Sequence, residues 1–211
     1  MARGIIALMI LSSLCSTAFG EWMAPPPTNE AITVPATLKS DPVQRIRLGG
    51  FVAEFEKTTL GEIRDALGCG SIEHAGDAGE SQYWLCYSVP GQRVWFISHG
   101  EMGGDEHALT QVQAISTSSH SDADAACPVI PKGFQPVSFW FGWIGKDKNA
   151  VLRALGPPSG MRGETLIYFY EGKKPGVYDG EAMESDVMGY IEMEISHDKV
   201  TSIFASHVTS N

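Results

Sequence analysis

Hydrophobic and polar positions repeat one pattern twice along the chain. Thr59-Leu-Gly-Glu62 predicts the start of a helix, because the threonine hydroxyl and the glutamate carboxylate can satisfy free backbone N–H groups as a capping box. One apolar face and a glycine stop follow at Ile63, Ala66, Leu67 and Gly68. The pattern therefore predicts a short amphipathic helix in the first half.

A second helix is predicted at the corresponding positions of the second half. Asp147 takes the cap position, and Gly156-Pro157-Pro158 ends the helix because proline cannot continue it. Its apolar face consists of Val151, Ala154 and Leu155. Both predicted helices finish in Ala-Leu-Gly, which indicates an internal repeat.

Each predicted helix is followed by three segments rich in β-branched and aromatic residues, which are typical of strands. In the first copy they are Tyr83–Val89, Arg93–His99 and Leu109–Ser116. In the second copy they are Thr165–Tyr170, Gly189–Ser196 and Val200–His207. The sequence thus predicts an α+β fold of two tandem units, each a helix with a three-stranded antiparallel sheet.

The repeat and the composition together predict five parts of the chain. These are a signal peptide at 1–20, an extended N-terminal segment at 21–48, a first α+β unit at 49–118, a linker at 119–131 and a second α+β unit at 132–211. The N-terminal segment is rich in proline and the linker is rich in Ser, Ala and Asp, which is typical of extended or exposed chain. Ile46–Val52, at the end of the first of these segments, is a candidate edge strand.

The signal peptide is predicted from a positive charge at Arg3, a short apolar stretch and small residues before a cleavage site after Gly20. The apolar stretch is too short to span a membrane, which takes roughly 20 residues. Cys15 raises the alternative of a lipoprotein, although Leu14 is larger than the residue that lipidation sites have before the cysteine. The chain is therefore expected to be periplasmic or secreted, without membrane association unless Cys15 is lipidated.

The chain carries a formal net charge of −10. Such a surface repels nucleic acid and anionic lipid, so a nucleic-acid partner is not expected. The acidity either keeps an exported protein soluble or attracts a basic protein partner.

No motif of a known catalytic or cofactor site is present. The nucleophile-elbow and phosphate-loop patterns are absent. The loop from His99 to His107 holds acidic residues and two histidines, but their spacing matches no recognised metal site. We therefore expect no catalytic residue, metal or cofactor, although an enzyme whose residues meet only in space stays an alternative.

The stretch from Gly145 to Tyr170 resembles the SmpA/OmlA family of small outer-membrane lipoproteins, which serve the β-barrel assembly machinery. It shares their polar cap, apolar helix ending Leu-Gly-Pro-Pro, loop and aromatic strand. The tandem arrangement, with Cys69 and Cys86 linking the loop after the first helix to the first strand, is similar to the β-lactamase inhibitor protein fold. The chain departs from the former in having two units, and from the latter in lacking an evident second disulfide.

These resemblances imply a non-enzymatic protein that binds another protein, with a disulfide between Cys69 and Cys86. Closing that loop would contribute about 3 kcal/mol in chain-entropy theory. Cys127 is then the expected unpaired thiol.

Aromatic residues on the predicted strands are the candidate partner-binding residues. Neighbours on a strand point to opposite faces, so one face can pack on the helix while the other displays rings. Trp and Tyr are also the side chains that most often anchor protein interfaces. The candidates are Tyr83, Trp84, Trp95, Trp140 and Tyr168. The alternative is that these rings fill the cores.

The leading hypothesis is an inhibitor or immunity-type protein that binds its partner through an aromatic sheet face. A structural subunit of outer-membrane or envelope assembly is the first alternative. A small-ligand carrier or enzyme is the second, and it would require a deep pocket with converging polar groups.

Overall fold

The computed structural model describes residues 23–27, 34–77, 80–104, 106–117, 127–178 and 181–210. The predicted signal peptide and Cys15 lie outside these ranges, as do residues 119–126 of the predicted linker. Within the described ranges the chain forms eleven strands and two α-helices. Neither helix is long and apolar enough to cross a membrane.

Eight strands form one large antiparallel sheet. They are β3 (Glu73–Ala75), β4 (Gln82–Val89), β5 (Gln92–His99), β6 (Gln111–Ser116), β8 (Gly160–Arg162), β9 (Thr165–Tyr178), β10 (Glu181–Ser196) and β11 (Lys199–Ser210). Their order in space is β3-β4-β5-β6-β11-β10-β9-β8. The small sheet consists of β1 (Arg45–Leu48), β2 (Phe51–Glu54) and β7 (Val137–Ser138), in the order β2-β1-β7.

The prediction of an α+β fold with two separate three-stranded units is wrong. Strands account for 51% of the structure and helices for 13%, so the fold is mostly β. The last strand of each half, β6 and β11, pair with each other in the middle of the large sheet, with Ala114 opposite Ile203. An unpaired strand edge leaves a row of N–H and C=O groups without partners, and this pairing satisfies two edges at once. The two halves therefore merge into one sheet.

The six predicted strand segments fall within or across β4, β5, β6, β9, β10 and β11. β9 and β10 run further than predicted and pair with each other as far as Tyr178 and Glu181. Pro175 lies within this extension, opposite Glu184. Proline and glycine are poor strand formers, so the extension has little signal in the sequence.

The first helix, α1 (Leu60–Leu67), has the predicted ends. The Thr59 hydroxyl accepts a hydrogen bond from the Glu62 backbone N–H, and the Glu62 carboxylate accepts one from the Thr59 N–H. Gly68 ends the helix in the left-handed conformation, at φ 70°. The second helix, α2 (Lys148–Leu155), begins differently, because the Asp147 carboxylate makes no cap bond and accepts a hydrogen bond from Lys199 Nζ at 2.6 Å.

Both helices contribute to the main hydrophobic core, which lies on one side of the large sheet, called here the helix face. A single row across the sheet shows how continuous this core is. Its fully buried members are Leu85, Phe96, Val112, Ala205, Ile191 and Tyr168, which are register partners from β4 to β9. Burying each large apolar side chain in such a row contributes about 1.5–3 kcal/mol.

The opposite side of the large sheet, called here the open face, carries a second and smaller core. Its buried members are Trp84, Cys86, Trp95, Ile97 and Cys127. The N-terminal segment, defined as residues 23–27 and 34–44, begins on this face, where the Trp95 indole N–H donates to the Met23 carbonyl at 3.1 Å. Further along, the Thr37 and Leu38 N–H groups donate to the Phe169 carbonyl on β9, and Val43 lies in the main core. The segment therefore contacts both faces of the sheet.

The predicted disulfide between Cys69 and Cys86 is wrong, because Cys86 is bonded to Cys127. Cys86 lies on the open face with Cys127, whereas Cys69 packs against the main core on the helix face. The alternation of side chains along β4 thus turns Cys86 away from Cys69. The expectation that Cys127 is an unpaired thiol is corrected by the same bond.

Candidate functional site

Three of the five aromatic residues predicted to bind a partner lie in the interior. Trp84, Trp95 and Tyr168 are 4%, 1% and 0% exposed. The two tryptophans belong to the core of the open face, and Tyr168 belongs to the main core, where its hydroxyl donates to the Gly156 carbonyl at 3.2 Å. Burial raises the pKa of Tyr168 to about 12. These rings fill the two cores, which is the alternative that the sequence left open.

Tyr83 is half-buried and stacks with two histidines. Its ring centroid lies 4.4 Å from that of His74 and 3.7 Å from that of His107. With ring contacts on two sides, Tyr83 offers a partner little of its aromatic surface.

Trp140 is the only one of the five predicted residues that is exposed, at 62%. Its indole N–H donates to the Pro42 carbonyl at 3.1 Å, and its ring meets the buried ring of Phe141 edge-on at 5.6 Å. The two contacts hold the indole in one orientation while much of its surface faces solvent. A side chain that is already ordered loses less conformational entropy when a partner binds.

A groove of about 310 Å³ lies beside Trp140. Arg45 and Arg47 line it, and both project from the same side of β1 because buried residues alternate with them. Neither arginine forms an ion pair within the described part of the chain. We call this groove the Trp140 surface, and the residues that line it are Asp41, Pro42, Gln44, Arg45, Arg47, Ser138 and Trp140. It combines an exposed indole with two positive charges.

A cluster of charged side chains lies next to this groove, where Asp41 and Glu56 hold His207 between them. His207 Nε2 is 2.8 Å from Asp41 Oδ2, and His207 Nδ1 is 3.2 Å from Glu56 Oε2. Both nitrogen-to-oxygen distances are those of an ion pair, so the protonated imidazole lies between two carboxylates. The cluster fastens the N-terminal segment to β11. No local sequence pattern connects Asp41, Glu56 and His207, so the sequence alone does not indicate this cluster.

The geometry of this cluster sets the charges of its members. Burial alone would lower the pKa of His207, but the contacts with the Asp41 and Glu56 carboxylates raise it to about 9. Burial alone would raise the pKa of Glu56, but the contact with His207 and two hydrogen bonds from Thr209 lower it to about 2. His207 is therefore protonated at neutral pH, and a protonated imidazole cannot act as a general base.

The variant His207→Gln should lose most of the pH dependence of stability between pH 6.5 and 9. Because the folded-state pKa of His207 is raised, its stabilising effect is complete below pH 6.5 and is lost as the pH rises through 9. We expect the free energy of unfolding of the native chain to fall by about 2 kcal/mol over this range. This is less than the whole pKa shift of His207 would give, because solvent still screens the charges of the cluster. Urea unfolding at several pH values measures this.

The exposed His197, in the turn between β10 and β11, supplies the matched control. His197→Gln should keep the native pH profile. If the free energy of unfolding of His207→Gln falls with pH as steeply as that of the native chain, groups other than His207 cause the pH dependence.

The described ranges offer no candidate metal site. No group of three His, Cys, Asp or Glu residues there has the arrangement of a metal site. Asp105, from the acidic loop between His99 and His107, lies outside those ranges.

No protein-family model, no curated protein and no solved structure was found to match this chain. The resemblances to the SmpA/OmlA family and to the β-lactamase inhibitor protein fold therefore stay predictions.

Proposed function

We propose that this chain is a non-enzymatic protein-binding module that, after export, holds a partner protein at the Trp140 surface. The observation that carries the proposal is a tryptophan that is 62% exposed and yet held at its N–H and at its ring edge. A large apolar ring that stays in water contributes little to the stability of the fold. If a partner covers the ring, the same apolar surface contributes to the free energy of binding. Tryptophan and arginine are also the residues most enriched at interface hot spots.

Arg45 and Arg47 define the chemistry of the partner. Both are exposed and lie in the groove beside the indole. A guanidinium group pairs with a carboxylate through two parallel hydrogen bonds. We therefore expect the partner to contribute an acidic side chain next to an apolar one. The net charge of −10 favours a basic partner at long range, but the contacts depend on the charges at the site.

The variant Trp140→Ala should weaken partner binding by about thirtyfold or more, which corresponds to a hot-spot loss of about 2 kcal/mol. Proteins captured from cell-envelope extract with the exported chain are purified, and calorimetry gives the dissociation constant of each for the native chain and the variant. Arg45→Ser should lower the affinity and also its dependence on salt concentration.

Met161→Ala is the matched control, because Met161 is a 55% exposed apolar residue on β8. A partner that binds the native chain and Trp140→Ala equally, or that loses as much affinity with Met161→Ala, would contradict the proposed surface. The activity of a captured hydrolase or toxin, measured with and without the chain, tests the inhibitor hypothesis. Capture of outer-membrane assembly proteins through the same surface would favour a structural subunit instead.

A further inference from the structure

The open face holds a cavity of about 180 Å³ between the N-terminal segment and the middle of the large sheet. Residues from both sides line it, among them Pro26, Pro27, Gln113, Tyr190, Glu194 and Phe204. Gln113 on β6 lies opposite Phe204 on β11, which lies opposite Glu192 on β10, so these three side chains share one row of the open face. The cavity is thus built where the two halves of the sheet meet.

Gln113 gives the first indication of a ligand. It is 5% exposed, and its Oε1 has no hydrogen-bond partner among the described residues. Leaving a buried acceptor without a donor costs about 1–3 kcal/mol, and such atoms are uncommon in native proteins. A ligand that donates a hydrogen bond inside the cavity would remove this cost.

The balance of charge in the cavity favours a cation. Glu192 is neutralised by Arg162, whose Nη2 lies 2.9 Å from Glu192 Oε2, and it also accepts a hydrogen bond from the Tyr190 hydroxyl at 2.6 Å. Glu194 lies two residues further along β10 and therefore on the same face. It forms no ion pair with any other described residue. The Glu194 side chain is exposed, so the one negative charge of the lining that has no ion-pair partner among these residues lies at the solvent side of the cavity.

The aromatic residues and the size of the cavity limit the kind of cation. The rings of Tyr190 and Phe204 meet edge-to-face at 6.1 Å, and aromatic faces attract cations. Burial and the hydrogen bond to Glu192 raise the pKa of Tyr190, so its phenol stays neutral. Pockets for small molecules usually measure about 300–1,000 Å³. The smaller cavity suits a single alkyl chain with a charged end.

We infer that this cavity binds a primary alkylammonium group. The ammonium donates to Gln113 Oε1 and pairs with Glu194, while the alkyl chain packs between the aromatic rings and the prolines of the N-terminal segment. An ammonium group is preferred to a guanidinium group because it is a compact charge with three donors, whereas the guanidinium fork requires two acceptors side by side. The inference does not depend on the Trp140 surface.

Titration of the full exported chain with n-butylammonium chloride, followed by NMR, tests the inference. We expect saturable shifts at the Gln113 side-chain amide and at Ile115, which also lines the cavity, with a dissociation constant in the millimolar range. Glu194→Gln should weaken this binding about fivefold. Gln113→Leu should abolish it while leaving stability unchanged or higher, because the unsatisfied acceptor is gone.

The control variant is Glu184→Gln, on the same strand as Glu194 but roughly 30 Å away, and it should bind n-butylammonium like the native chain. The inference is overturned if n-butanol binds as tightly as n-butylammonium or if Glu194→Gln leaves the dissociation constant unchanged. It is also overturned if the titration gives no saturable NMR shift. Nα-acetyl-lysine methylamide distinguishes the two sources of the group. Binding as tight as that of n-butylammonium indicates a lysine side chain, and binding of the small amine alone indicates a free metabolite-sized amine.

Trp140→Ala should leave this titration unchanged. Loss of partner binding with an intact amine titration would then separate the Trp140 surface from the cavity.

Discussion

Replacing Cys86 and Cys127 with alanine should lower the free energy of unfolding by about 4 kcal/mol. The bond joins residues separated by 41 positions, and chain-entropy theory gives about this value for a loop of that length. Both cysteines are buried in the core of the open face, so the bond also keeps residues 127–130 against β4. Urea unfolding of the native chain and the double variant under oxidising conditions measures the difference.

Cys69→Ala is the matched control for this prediction. It removes a thiol but leaves the bond between Cys86 and Cys127 in place, so it should cost about 1 kcal/mol or less. A reducing agent should destabilise the native chain and Cys69→Ala, and should leave the double variant unchanged. A larger loss for Cys69→Ala than for Cys127→Ala would contradict the observed pairing and favour the bond predicted from the sequence.

Trp95→Ala should lower the free energy of unfolding by about 3–5 kcal/mol, the usual range for removing a buried aromatic side chain. Trp95 is 1% exposed, and its indole N–H satisfies the Met23 carbonyl. The guanidinium carbon of Arg93 also lies 5.9 Å from its ring centroid. Truncation would therefore leave a cavity beneath the N-terminal segment and remove two polar contacts. Thermal and urea unfolding measure the loss.

Trp140→Ala is the control for Trp95→Ala, because it removes the same side chain from an exposed position. It should cost about 1 kcal/mol or less in stability and should reduce partner binding. Trp95→Ala should instead lower stability strongly and leave the partner affinity of the folded chain unchanged. A Trp95→Ala variant with native stability and a faster partner dissociation would support the partner-binding role predicted from the sequence. Trp95 lies directly opposite Cys86 on the neighbouring strand. The losses in free energy of unfolding caused by Trp95→Ala and by removing the disulfide are therefore not expected to be additive.

Local elements could be predicted because their signals lie within a few residues of one another. The capping box of α1 needs only Thr59 and Glu62, and the left-handed glycine at position 68 follows directly. The strand segments were visible because β-branched and aromatic residues cluster there. The extension of β9 through Pro175 was missed, since only its pairing with β10 stabilises a segment with so little strand preference.

The candidate sites were less predictable than the elements. Aromatic residue type identified Trp140 as a candidate, but the same reasoning also selected Trp84, Trp95 and Tyr168, which are buried. Alternation indicates which residues share a face of a strand, but it does not indicate whether another segment covers that face. The covering of the open face by the N-terminal segment therefore had no signal in the aromatic pattern.

The sequence by itself determined the two helices and the main strand segments, because these depend on residues close together in the chain. Only the tertiary structure decided that β6 pairs with β11, that Cys86 bonds Cys127, and that His207 lies between Asp41 and Glu56. Each of these contacts joins positions far apart in sequence. Its partner is selected by which edges and faces the folded chain brings together, and no local pattern of residue types specifies that choice.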